Sequence, residues 1–188
     1  MRTDESLALG IQQGRADDMT ELANRYYDPL LRYLYRMCGG KQALAEDLVQ
    51  ETFLRMMRGI IGYDAKRPFK PWLYSIATNI ARNHFTRADT RYTHNPEEDA
   101  DFEDDNLLPE ESVLQSENVQ QVFDALMQLP EQHRSVVVLF YYDNLPQKEI
   151  SEILNIPVGT VKSRLYNGLK RLRSIIGEHE MKDMQHEQ

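Results

Sequence analysis

Residues 93–112 read THNPEEDADFEDDNLLPEES, a stretch poorly suited to a core. The stretch has two prolines, a run of carboxylates and no apolar period. Such a composition buries too little surface to offset the entropy of ordering, so a flexible acidic linker is expected here. The chain therefore divides into a first folded part over 1–90, a linker over 91–115, a second folded part over 116–177 and a short polar tail over 178–188. Charge divides the same way. Residues 91–118 carry 1 Lys+Arg against 10 Asp+Glu, whereas residues 1–90 carry 13 against 11 and residues 119–188 carry 8 against 9. The formal net charge of -8 belongs to the middle segment, and the two flanking parts are close to neutral.

A chain of 188 residues, 41% hydrophobic and 28% charged, suits one domain or two small ones. The single cysteine, Cys38, excludes an intramolecular disulfide and a zinc site built on several thiolates. It is expected as a small buried apolar side chain, with a redox sensor as the alternative. No apolar run reaches the roughly 18 residues of a membrane span. The opening MRTDESLALGIQQGRADD is too polar for a signal peptide, so a cytoplasmic location is expected. No glycine-rich phosphate loop occurs, and His84, His94, His133, His179 and His186 show no metal-ligand spacing; neither cofactor nor metal is expected.

On both sides of the linker, apolar residues recur every three or four positions, which predicts an all-α fold. A helix near 19–38 turns Leu22, Tyr26, Leu30, Leu34 and Met37 inward and stops at Gly39-Gly40. A second helix covers 42–58, a third about 70–87 with Pro71 in its first turn, and a short one precedes them around 4–14. VVVLFYY (136–142) is β-prone by composition, but Leu129-Pro130-Glu131 before it signals a helix start, and helix is the prediction. Leu145-Pro146 opens another helix, with Ile150, Ile153 and Leu154 inward. Asn155-Ile156-Pro157 breaks it, and a last helix carries Val161, Leu165, Leu169, Leu172 and Ile176 on one stripe.

Three helix faces are left over after the core is assigned. On 42–58, Ala45, Leu48, Val49, Thr52 and Met56 share one side, while Asp47, Gln50, Glu51 and Leu54 share the other. A leucine ringed by polar groups fits the centre of an interface; a solvated face with one stray leucine is the other reading. On 70–87, Leu73, Ile76, Ala77 and Ile80 point inward, opposite Trp72, Ser75, Asn79, Arg82, Asn83 and Thr86. An aromatic plane, amides and an arginine are the groups that hold unstacked bases, and Lys66, Arg67 and Lys70 upstream could meet phosphates. Trp72 is equally readable as a core residue. On the last helix, Thr160, Lys162, Ser163, Tyr166, Asn167 and Lys170 fall opposite the apolar stripe, flanked by Arg164 and Arg171. Residues 157–173 contain five basic and no acidic residues, the pattern of a helix-turn-helix recognition helix.

Taken together, AEDLVQETFLRMMRGI, FKPWLYSIATNIARNHF and IPVGTVKSRLYNGLKRLR resemble the extracytoplasmic-function (ECF) sigma factors of bacterial RNA polymerase. The resemblance covers almost the whole chain in the order region 2, linker, region 4. It implies that Asp47, Gln50, Glu51, Phe53 and Leu54 dock on the β′ clamp helices of core RNA polymerase. It implies that the helix after Pro68, with Lys66, Arg67, Lys70, Trp72, Ser75, Asn79, Arg82 and Asn83, recognises and melts the promoter -10 element, Asn79 reading a flipped base. Thr160, Lys162, Ser163, Arg164, Tyr166, Asn167, Lys170 and Arg171 are then expected on the -35 duplex, with region 4 near the β flap. The linker is expected in the polymerase cleft, whose basic lining suits an acidic segment. An anti-sigma factor, membrane-bound in many family members, is implied as a further partner.

The chain departs from the family pattern in three places. The segment after the -10 helix has only Arg87 and Arg91, Gly168 occupies the recognition helix at a cost of roughly 1 kcal/mol relative to Ala, and Ser151 stands where Ala is usual. A free-standing helix-turn-helix regulator would leave the Asp47/Gln50/Glu51 face without a role. A helical enzyme with a DNA-binding tail would lack a catalytic constellation, so a binding role, not an enzymatic one, is expected.

Overall fold

The computed structural model describes the backbone of residues 2–92 and 117–186, and side chains within 2–85 and 120–177. Residues 93–115 of the expected linker lie outside the described residues. Every element among the described residues is helical: α1 (Asp4–Gln12), α2 (Ala16–Met37), α3 (Gln42–Gly59), a 3-10 turn (Ile60–Gly62), α4 (Phe69–Tyr92), α5 (Glu117–Met127), α6 (Glu131–Tyr141), α7 (Gln147–Leu154) and α8 (Val158–His186).

Local chemistry sets most of these boundaries. Thr3 caps α1 by accepting a hydrogen bond from the amide of Ser6 at 3.2 Å. Asp17 and Asp18 in the first turn of α2 complement its positive end, and α2 stops where Gly39 and Gly40 take positive φ of 67° and 84°. VVVLFYY is helical to Tyr141, because Pro130 sets the start and the stripe of Val136 to Leu139 finds a helix-packed core. Asn155, at φ 51°, ends α7 in the left-handed region. Two boundaries differ most from the sequence reading. Helix α4 continues to Tyr92, into the stretch assigned to the linker, and α8 runs to His186 through the stretch assigned to a polar tail. Residues 178–186 contain neither Pro nor Gly, so nothing after Gly177 forces the helix to stop.

In the first half, α2, α3 and α4 enclose Leu22, Leu30, Leu34, Met37, Val49, Met56, Leu73 and Ala77, all buried as expected. Tyr33 and Thr78 satisfy each other inside this core, their oxygens 2.9 Å apart. In the second half, α6, α7 and α8 bury Val136 to Leu139, Ile150, Ile153, Val161 and Leu165. The halves also pack on one another, with α4 against α7 and the C-terminal end of α2 against α5 and α6.

Candidate nucleic-acid and polymerase interfaces

Helix α3 separates as its periodicity demands. Ala45, Leu48, Val49, Thr52 and Met56 are buried, Asp47 and Gln50 are exposed, and half-buried Glu51 accepts from Arg55 at 2.6 Å. Leu54 is 48% exposed, and two residues that sequence reading missed continue its stripe: Met57 at 52% and Ile61 at 72%. Their spacing after Leu54 (three and seven residues) was the available signal. Phe53 is half-buried, packed partly against the core.

The groups assigned to the -10 face do not stay together. Lys66 and Arg67 stand exposed on the loop before α4, and Asn79 and Asn83 are exposed along the helix. Trp72 packs its ring on Tyr63, centroids 4.8 Å apart, and on Phe69 at 5.5 Å, which makes it a structural residue at the core margin. The Ser75 hydroxyl donates to the Trp72 carbonyl at 2.7 Å. Arg82 is drawn to the second half of the molecule, its Nε 3.3 Å from a carboxylate oxygen of Glu131. Lys70 turns over the Tyr74 ring, 5.7 Å from its centroid, and its charge bears on Asp143. Thr86 lies outside the described side chains.

The helix-turn-helix is tightly built. The Ser151 hydroxyl donates to the carbonyl of Ile156 at 2.6 Å, tying the turn to α7. The Thr160 amide donates to Pro157 at 2.8 Å and starts α8. Lys162, Ser163, Asn167, Lys170 and Arg171 are exposed, as is Tyr166 at 69%; Thr160 and Arg164 are half-buried. Gly168 is buried on the opposite side, where a Cβ would sit 2.9 Å from Cγ2 of Val137 on α6. The glycine permits close helix approach and leaves the outward face intact. His133, on that packed side, is held below its ordinary pKa by burial and then by the charges of Arg164 and Arg171.

Where the halves meet, Phe123 sets its edge against Tyr35 (5.2 Å between centroids), and the Arg36 guanidinium lies 4.6 Å from the Tyr142 ring centroid. Gly39 sits so close that a Cβ would come within 2.7 Å of Met127 Cγ. Asp143 is held among groups of the first half. Burial pushes its carboxyl up to about 6, against the pull of Arg36, Lys70 and Arg32 and a hydrogen bond with Tyr74.

Sigma-70 region 2 matches residues 22–91, and Sigma-70 region 4 matches residues 120–172. The ECF sigma factor SigW of Bacillus subtilis is 35% identical over 171 residues, covering 87% of this chain and 91% of that protein. The chain belongs to the ECF sigma factor family. The sigma-E factor of Haemophilus influenzae is also similar, 32% identical over 93% of this chain and 95% of its own length. The fold of this sigma factor is similar to that of CnrH, solved with the cytosolic domain of CnrY: TM-score 0.70, 22% identity, 93% of this chain and 97% of the other. The sigma factor RpoE of Bartonella quintana, solved with the anti-sigma factor NepR, also gives a TM-score of 0.70, at 18% identity over 86% and 98% of the two chains. Helix α3 and all of α4 but Tyr92 lie within the region 2 match, and α7 with about the first half of α8 within the region 4 match, whereas α1 precedes both.

Proposed function

We propose that this alternative sigma factor divides its work among three surfaces. The α3 face of Asp47, Gln50, Glu51 and Leu54, extended by Met57 and Ile61, docks on the clamp helices of core RNA polymerase. Lys66, Arg67, Asn79 and Asn83 engage the melted -10 strand. Lys162, Ser163, Tyr166, Asn167, Lys170 and Arg171 read the -35 duplex in its major groove, with Thr160 and Arg164 at the margin. No bond is broken by the chain itself; melting draws on base capture and on polymerase contacts.

The observation that carries the reading is the apolar stripe Leu54, Met57 and Ile61, exposed beside carboxylates and an amide. An apolar centre with a polar rim is how a protein partner is held, and it gives α3 a task that DNA could not. A free-standing regulator would not need it. Arg82 and Lys70 join the -10 surface only when α4 parts from the second half, so the closed packing is an off state. An anti-sigma factor that holds the halves together would stabilise that state. The deciding experiment is run-off transcription with core polymerase on promoters selected from a random pool. Leu54→Glu is expected to abolish initiation and core binding with the melting temperature unchanged. Duplex binding that is equally tight with and without polymerase would overturn the reading.

A further inference from the structure

The loop between α3 and α4 is fastened from a distance. The first amide of α4, at Phe69, faces the helix's positive end, yet Pro68 before it offers no side-chain acceptor and Pro71 lacks an N–H. The acceptor comes from α1: Glu5 Oε1 takes the Phe69 amide at 3.1 Å, across 64 residues of chain. At the other end of the loop, Gln12 Nε2 donates to the carbonyls of both Ile60 at 2.7 Å and Tyr63 at 2.8 Å. That uses both of its hydrogens. Glu5 and Gln12 are seven residues apart, two turns along one face of α1, so a single face grips both ends of the loop.

Between these grips the loop holds itself. The Tyr63 hydroxyl donates to the Arg67 carbonyl at 2.5 Å, the Arg67 amide to Asp64 O at 2.9 Å and the Lys66 amide to Asp64 Oδ1 at 3.0 Å. Helix α1 is itself anchored to α2, Asp4 accepting from Arg25 and Tyr26, while Asp18 of α2 accepts from Arg2 just ahead of α1 and from Arg15 at its own N-cap. Gly10 makes room for this cluster, since a Cβ there would land 1.6 Å from Asp18 Oδ2. Leu7 and Ala8 are buried where α1 docks. Its polar face goes further, to the backbone of the segment that presents Lys66 and Arg67 and aims α4.

We propose that Glu5 and Gln12 are positioning residues for reading of the -10 strand: α1 sets the backbone of loop 60–68 and the first turn of α4, and through them the placement of Lys66, Arg67 and Asn79. The proposal rests on the reading of α4 given above. Rigid support of this kind decides how sharply a binding surface discriminates.

The test uses holoenzyme made from core polymerase and the full chain, on a promoter selected by the unmodified protein. The readout is the ratio of open complexes on that promoter to those on copies with single -10 bases changed. At saturating core polymerase, Gln12→Met and Glu5→Ala are expected to lower this ratio roughly tenfold. Glu5→Gln, which keeps an acceptor for the Phe69 amide, restores most of it. Hydrogen exchange of amides 63–69 should rise in the first two variants and not in the third. An unchanged ratio in Glu5→Ala and Gln12→Met, with a lower melting temperature as the only effect, overturns the proposal. Asn79→Ala in the same assay separates the two levels. If it lowers the ratio while the α1 variants do not, the positioning role alone fails; if it too has no effect, the reading of α4 fails and the positioning role falls with it.

Discussion

Arg134 of α6 donates through Nη1 to the carbonyl of Met37 at the end of α2, at 3.2 Å, while its guanidinium lies 5.0 Å from the ring centroid of Phe85. One buried cation thus joins the second half of the molecule to two helices of the first. The Arg82–Glu131 pair beside it is partly exposed and adds at most about 1 kcal/mol. A buried hydrogen bond from a charged donor contributes about 1.5–3 kcal/mol. Arg134→Met keeps the apolar stem and removes the donor, so it should part the halves while leaving each folded. With dyes on Arg58→Cys and Arg173→Cys, energy transfer is expected to fall in the Arg134→Met background at unchanged helical circular dichroism. Transfer equal to that of the parent would show that Arg134 does not hold the closed packing.

Asp143 makes that packing sensitive to pH. Its neighbours Arg32 and Arg36 come from α2, and Lys70 and Tyr74 from α4, so separation of the halves returns the carboxyl to water. In the closed state its pKa is raised from 3.8 to about 6, so the closed state binds the proton more tightly. The contribution to closure is therefore fully present below about pH 4 and is lost as pH rises through about 6. A shift of that size corresponds to about 3 kcal/mol. Energy transfer should fall between pH 4 and pH 7 in the parent relative to Asp143→Asn, in which this component is absent. Coincident curves for the two proteins would refute the assignment.

Most of the helices were legible because each carries its own punctuation: Gly39-Gly40, Pro130, Pro146 and Asn155 end or start elements by local chemistry alone. The outward faces of α3 and α8 followed from period 3.6. What could not be read was anything fixed by a second element. Arg82 and Lys70 sit on the correct face of α4, yet their partners Glu131 and Asp143 belong to the other half. Trp72 was ambiguous because its partner Tyr63 lies in a loop without periodicity. Glu5 and Gln12 leave no mark in the sequence, since their partners are backbone groups 48 to 64 residues away.

Gly168 illustrates how such a partner reverses a simple rule. Helix propensity alone favours Gly168→Ala by about 1 kcal/mol. The added methyl, however, would meet Val137 Cγ2 at 2.9 Å and His133 Cβ at 3.4 Å. Overpacking of this kind costs about 1–3 kcal/mol, so the variant should be less stable than the parent. Val137→Ala added to Gly168→Ala should recover part of the loss. Urea denaturation measures both; a gain in stability for Gly168→Ala alone would mean that α6 and α8 are not packed this closely.

The outward face of α8 carries the last expectation. Lys162 and Lys170 are exposed with Tyr166 and Asn167 between them, and no acidic residue occurs from 157 to 173. A lysine that meets a phosphate releases counterions, so its loss lowers the salt dependence of binding by about 0.9 in the slope of log K against log salt. A residue that reads base edges changes preference among sequences without changing that slope. Lys162→Ala and Lys170→Ala are each expected to reduce the slope by about this amount in holoenzyme binding to a -35 duplex. Asn167→Ala should leave the slope alone and relax selectivity at one base pair. Lysine variants with the parent's slope would show that α8 meets the duplex along a different face.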